Sequence, residues 1–248
     1  GTAHGISSYN GVNFTNYSYE TDVPKFEWNE TSGDLWFNAG EKDGINRFDG
    51  EKMNYLIFPK PKTNDPNNSY GVTDISEGTD GKVWIATYNA LFMYDGKNTK
   101  SFDHEKLELK ENENLHIRSV LADSKGRIWI GNNGIGVLLM ENEKAINFSD
   151  KNGLINIFSS KNGNLSPAGT LEHVFVIEED SEGNIWFGDR DTGVWKYDGK
   201  NMTNYTIDSR LSKPMIWSIY KDNRNNLLFG MASGGVYIFN GKSFDKKF

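Results

Sequence analysis

The chain of 248 residues contains no cysteine, so disulfides, thiolate metal sites and thiol nucleophiles are excluded. No apolar run approaches the roughly 18 residues that a membrane span requires. Only 6 prolines are present, and no Gly-x-Ser-x-Gly, His-Glu-x-x-His or phosphate-binding Gly-x-x-x-x-Gly-Lys motif occurs. Serine-hydrolase, zincin and P-loop mechanisms therefore have no support. Positive charge is also scarce: 27 Lys and Arg against 34 Asp and Glu give a formal net charge of -7. That balance argues against a nucleic-acid partner, because phosphate binding needs a basic surface.

What the chain has in quantity is glycine and aromatic residues, 26 Gly and 7 Trp among 248 residues, as expected of many short strands joined by tight turns. Gly183-Asn184-Ile185-Trp186-Phe187-Gly188, then Gly193-Val194-Trp195-Lys196-Tyr197-Asp198-Gly199, returns with changes along the sequence. A period of about 40 residues with several short strands per unit is a propeller signature. Closing turns fall at Asn10-Gly11, Asp49-Gly50, Asp95-Gly96, Asp198-Gly199 and Asn240-Gly241, with Glu141-Asn142 in the equivalent place.

Each unit reads as four strands, A to D. In the clearest copy these centre on Phe175-Val176-Ile177, Ile185-Trp186-Phe187, Val194 to Tyr197 and Met202 to Tyr205. The column Trp36, Trp84, Trp129, Trp186, with Leu228 in the last unit, is a packing device between neighbouring sheets. The strand C column Tyr9, Phe48, Tyr94, Tyr197, Phe239 reads the same way. The expectation is an all-β, single-domain β-propeller over residues 1–248. Six four-stranded blades fit if upstream residues complete the first, clipped unit; seven blades is the alternative.

The pattern Asp-x-x-Gly-x-x-Trp-x-Gly followed by Gly-Val-x-x-Tyr-Asp-Gly is seen best at Asp123 to Trp129 and Asp180 to Trp186. It resembles the two-component-regulator propeller repeat of sensor ectodomains and exported proteins of Bacteroidetes-type bacteria. Departures occur at Thr31 to Trp36, which lacks the turn Asp, and at Asn225 and Leu228 in the last unit. The resemblance implies an extracytoplasmic location, in the periplasm or at the outer-membrane surface, and a stand-alone binding module, with an envelope assembly as one setting. Its ligand would be a protein or a small molecule or glycan. Streptogramin lyases and metal-dependent lactonases are more weakly similar propellers, and they supply the alternative, an enzyme.

Alternating strand direction puts the D-to-A and B-to-C connections on one rim and the short turns on the other. Variable loops on a rigid scaffold are where binding concentrates. Channel-mouth candidates are Asn38, Tyr88, Asn133, Arg190, Asp191 and Ser233 from B-to-C loops, with His116, Arg118, His173 and Trp217 from the starts of strand A. His116 and His173 each stand ten residues before a turn glycine, Gly126 and Gly183, hence at equivalent points of adjacent blades. As hydrogen-bonded rim residues they need no metal, and Trp217 and Phe175 read first as packing. Asp74, Asp189 and Asp191 are the acids placed for paired-carboxylate chemistry, but no catalytic set, metal or cofactor is assigned. Finally, Asp150 to Leu171 is the longest connection, and loops beyond about 12 to 15 residues are functional or disordered. Its apolar cluster Leu154, Ile155, Ile157 and Phe158 is expected to contact a partner or ligand.

Overall fold

The computed structural model describes residues 5–18, 35–38, 44–48, 50–51, 53–58, 71–156, 165–208 and 214–248. Six antiparallel sheets follow one another in chain order. The first is a hairpin of β1 (Gly5–Tyr9) and β2 (Phe14–Ser18). The second pairs β3 (Leu35–Asn38), β4 (Gly44–Phe48) and β5 (Met53–Ile57).

The remaining four sheets are four-stranded meanders. The third has β6 (Val72–Glu77), β7 (Val83–Thr87), β8 (Leu91–Tyr94) and β9 (Thr99–Phe102). In the fourth stand β10 (Ile117–Ala122), β11 (Ile128–Asn132), β12 (Gly136–Glu141) and β13 (Lys144–Asn147). A single helical turn, α1 (Phe148–Lys151), follows, capped by the Asn147 side chain accepting from Asp150 N–H. The fifth contains β14 (Val174–Glu179), β15 (Ile185–Asp189), β16 (Val194–Tyr197) and β17 (Met202–Tyr205). The sixth contains β18 (Ile216–Lys221), β19 (Leu227–Met231), β20 (Val236–Phe239) and β21 (Phe244–Lys246). Among the described residues no helix is long and apolar enough to cross a membrane.

The cores lie between blades, because a strand whose alternating side chains are all apolar must be covered on both faces. Strands β7, β11 and β15 are buried along their whole length. The tryptophans of β3, β7, β11 and β15 each pack on the next blade. Trp84 packs with Ile117, Val120 and Ile130 of the fourth blade, and Trp129 with Val174, Ile177 and Phe187 of the fifth. Trp186 in turn packs with Ile219, Leu227 and Phe229 of the sixth. Trp36 covers the third blade from the second in the same way. Truncating one such ring to Ala removes about 3 to 5 kcal/mol.

Hydrogen bonds add a polar stitch between inner strands. Asp74 Oδ2 accepts the Val120 N–H at 3.0 Å and Ser76 Oγ the Ala122 N–H at 2.9 Å. One blade further, the Glu179 carboxylate takes both the N–H and the hydroxyl of Ser124, at 2.7 and 2.6 Å. The strand C tyrosines have a second use beyond packing: the hydroxyls of Tyr9, Tyr94 and Tyr197 donate to the carbonyls of Gly11, Gly96 and Gly199 and close the hairpin turns.

Candidate functional site

The innermost strands β6, β10, β14 and β18 share one irregularity. Pairing with the next strand skips a residue between Val72 and Asp74, Ile117 and Ser119, Val174 and Val176, and Ile216 and Ser218. The skipped residues are Thr73, Arg118, Phe175 and Trp217. A β-bulge takes a side chain out of the ladder's alternation and re-aims it. Here it does so once in each of the four four-stranded sheets, at the rim where the B-to-C loops lie.

Three of these residues meet in a continuous row. The Arg118 guanidinium carbon lies 4.5 Å from the Phe175 ring centroid and 5.6 Å from that of Tyr88, and Nη1 donates to the Tyr88 hydroxyl at 3.4 Å. Phe175 in turn stands 6.0 Å, centroid to centroid, from Trp217, whose side is open to solvent at 58% exposure. The His116 ring meets Tyr88 edge-on at 5.2 Å. Burial, then the Arg118 charge, lowers its pKa.

His173 occupies the equivalent position one blade on and makes the equivalent contact. Its Nδ1 lies 2.7 Å from Asn133 Oδ1, so the imidazole proton sits on Nδ1 and Nε2 is left as an acceptor. Nε2 is buried and has no hydrogen-bond partner among the described residues. Burial, followed by the Arg190 charge, lowers the His173 pKa.

Beneath it Asp189, fully buried, organises the loop: Oδ2 accepts the His173 N–H at 2.9 Å, and Oδ1 the N–H groups of Asp191 and Thr192 at 2.7 and 2.9 Å. Burial nevertheless raises its pKa to about 6. Arg190 and Asp191 form a two-pronged pair at 2.9 and 2.7 Å. For Asp191, burial raises the pKa, but the Arg190 hydrogen bond and the Ser166 N–H outweigh it and leave the pKa lowered. The acids considered for catalysis, Asp74, Asp189 and Asp191, are thus each engaged with backbone N–H groups.

The long connection is tied at both feet. Glu172, wholly buried, accepts the Asn156 N–H at 2.5 Å through Oε1 and the Ser166 hydroxyl at 2.7 Å through Oε2. Leu154 packs against the core between the fourth and fifth blades, and Ile155 is half-buried. Ile157 and Phe158 lie outside the described residues, as does the side chain of Asn38. Ser233 is exposed on the B-to-C turn of the sixth blade.

The fold therefore gathers Tyr88, His116, Arg118, Phe175 and Trp217 into one row and sets Asn133, His173, Arg190 and Asp191 beside it. Sequence reasoning named most of these but missed Glu172 and the bulge. No pattern in Leu171-Glu172-His173 distinguishes a buried anchor from a solvated loop acid. Among the described residues no group of three or more His, Asp or Glu converges as metal ligands.

Comparisons with known proteins agree with this architecture. The chain superimposes on the crystal structure of virginiamycin B lyase from Staphylococcus aureus, solved with quinupristin, with a TM-score of 0.71 over 98% of this chain and 77% of that one, at 13% identity. It also superimposes on the extracellular domain of BT4673 from B. thetaiotaomicron with a TM-score of 0.61 at 22% identity, covering 96% of this chain and 30% of that one. In sequence, 75 residues, 28% of the chain, are 24% identical to Histidine kinase P4 of Formosa agariphila, and they span 6% of that kinase. Residues 111–134, which carry His116, Arg118, Asp123, Trp129 and Asn133 and include strands β10 and β11, match the family described as two component regulator propeller.

Proposed function

We propose that this chain is a non-catalytic, extracytoplasmic binding propeller whose ligand or partner sits on the long-loop rim. The observation that carries the reading is the row Tyr88, Arg118, Phe175 and Trp217. Four adjacent blades contribute to it, and it ends in a tryptophan with 58% of its surface open to water. A large ring held out of the core by a bulge adds nothing to the blade interior, whereas exposed aromatic and Arg side chains are the usual anchors of recognition. The likeness to the extracellular domain of BT4673 supports a location outside the cytoplasm. The apolar cluster of the long connection, Leu154, Ile155, Ile157 and Phe158, is proposed as a second contact, with a subunit of an envelope assembly as one kind of partner.

The competing reading is an enzyme of the streptogramin lyase or metal-dependent lactonase type, and it draws on the superposition with virginiamycin B lyase. The engagement of Asp189 and Asp191 in backbone and ion-pair contacts favours binding over acid-base work. The deciding experiment screens the protein against small molecules and glycans by thermal shift and, in parallel, captures partners from envelope extracts. Trp217→Ala and a deletion of Ile157 to Gly163, which keeps the Asn156 N–H that Glu172 accepts, are expected to weaken the binding found while leaving the melting temperature nearly unchanged. An activity abolished by His173→Ala or Asp191→Ala would decide for the enzyme.

A further inference from the structure

The arginines near the rim are not equivalent. Arg190 is held by Asp191 in a two-pronged pair, and Arg127, on the opposite rim, is held by Asp123 at 2.6 Å. Arg118 has no carboxylate within salt-bridge distance among the described residues; its polar contact is the Tyr88 hydroxyl, at 3.4 Å. Its guanidinium is instead flanked by two ring faces, Phe175 and Tyr88. Such flanking fixes the plane of the fork and, the long Tyr88 contact apart, leaves its N–H edge to an incoming group. The residue is half-buried, in a protein whose formal charge is -7. A cation kept away from abundant acids and oriented by aromatic rings is a recognition element for an anion brought from outside.

A second, independent observation lies on the adjacent blade. His173 is 3% exposed, its ring is oriented by Asn133, and its Nε2 has no partner among the described residues. Burying such an acceptor without a partner is costly. Phe175 links the guanidinium to the exposed indole of Trp217, which offers a flat apolar face at the end of the row.

We infer that the channel mouth selects a ligand in which a ring bears a carboxylate: the carboxylate is taken by the fork of Arg118 and the ring lies on Trp217. This rests on the binding reading above and narrows it to one chemistry. An acidic sugar and an aromatic acid both carry that chemistry, and the experiment separates them.

The test titrates the purified chain with D-glucuronate and with benzoate, using saturation-transfer NMR and calorimetry, beside the neutral partners methyl glucoside and benzamide. The expected result is binding of one or both acids, weakened by added salt and stronger than that of the neutral partners. Arg118→Gln is expected to weaken it about ten- to a hundredfold, and Arg118→Lys, which keeps charge but not the planar fork, by less. Preference for glucuronate identifies an acidic sugar, and preference for benzoate an aromatic acid. Melting curves of each variant check that the fold is intact. Failure of both acids to bind, equal binding of the neutral partners, or an unchanged Arg118→Gln variant overturns the inference. A neutral ligand that needs Trp217 and ignores Arg118 would overturn it too, while leaving the mouth as the binding site. Binding that survives both Trp217→Ala and Arg118→Gln would remove the mouth itself.

Discussion

The indole N–H of Trp186 donates to the Asp180 carboxylate at 2.7 Å, joining the turn that precedes strand β15 to the core that follows it. Asp123 and Trp129 do the same at 2.9 Å. Asp180 also accepts the N–H groups of Glu182 and Asn184, so one carboxylate forms the turn and fixes the ring. Asp180→Ala should cost about 2 to 4 kcal/mol, because several donors lose their acceptor at once. A double-mutant cycle with Trp186→Phe should return a coupling of about 1 to 2 kcal/mol in urea unfolding. Asp222 holds the same turn without an indole, since Leu228 replaces the ring. Asp222→Ala should therefore be measurably milder, and equal costs would show that the indole bond contributes nothing.

Asp74 gives the protein a pH dependence of defined sign. Burial raises its pKa from 3.8 to about 6, against the lowering effect of the Val120 and Ile75 N–H groups. The native state then holds more protons than the unfolded chain between about pH 4 and 6, so this group's contribution to stability falls as pH rises through that window. Asp180, whose pKa is lowered because its hydrogen bonds outweigh its burial, acts in the opposite sense and loses its contribution only as pH falls below about 4. Wild-type stability relative to Asp74→Asn should drop by about 2 kcal/mol between pH 4 and pH 7, allowing for the partial exposure of the group. Denaturant melts at several pH values measure it, and a constant difference would mean that Asp74 is ionised throughout.

Two glycines with similar backbone angles should respond very differently to alanine. Gly96 has φ of 90° with no atom within 4 Å of an added Cβ, whereas Gly136 has φ of 75° and its Cβ would lie 2.3 Å from the Leu171 carbonyl oxygen. Gly96→Ala should cost about 1 kcal/mol, the strain of a left-handed residue. Gly136→Ala should cost about 3 kcal/mol or more, because the carbonyl it meets is the backbone at the foot of the long connection. Thermal unfolding of the pair checks the ranking.

Glu172 should control the feet of the long connection. Glu172→Ala removes the acceptor of the Asn156 N–H, and its amide exchange should accelerate about tenfold or more. Glu172→Gln retains one carbonyl acceptor and should fall between. Exchange at Asn156 that does not respond would place the anchor elsewhere.

The architecture was legible because the residues that specify it recur. Trp84, Trp129 and Trp186 stand at one place in successive units and lie in successive inter-blade cores. Asp180 was legible as a turn residue, but its bond to Trp186 was not, since a six-residue spacing carries no side-chain direction. The helical turn after Asn147 escaped because four residues are too short to show a helical period against a preceding strand. The bulge escaped for a deeper reason. Thr73, Arg118, Phe175 and Trp217 share no property beyond their place, so composition could not mark them as displaced from the ladder. Arg118 was a candidate by position alone, and only the geometry shows what flanks it.

The repeated bulge separates two duties within each inner strand. The paired residues on either side follow the alternation of the blade, and the displaced one lies outside it. Threonine, arginine, phenylalanine and tryptophan occupy that place with the same skip in register. The rim is thus a row of exchangeable letters set in a fixed frame. In these four sheets the residue at that place can change with the frame that presents it left untouched.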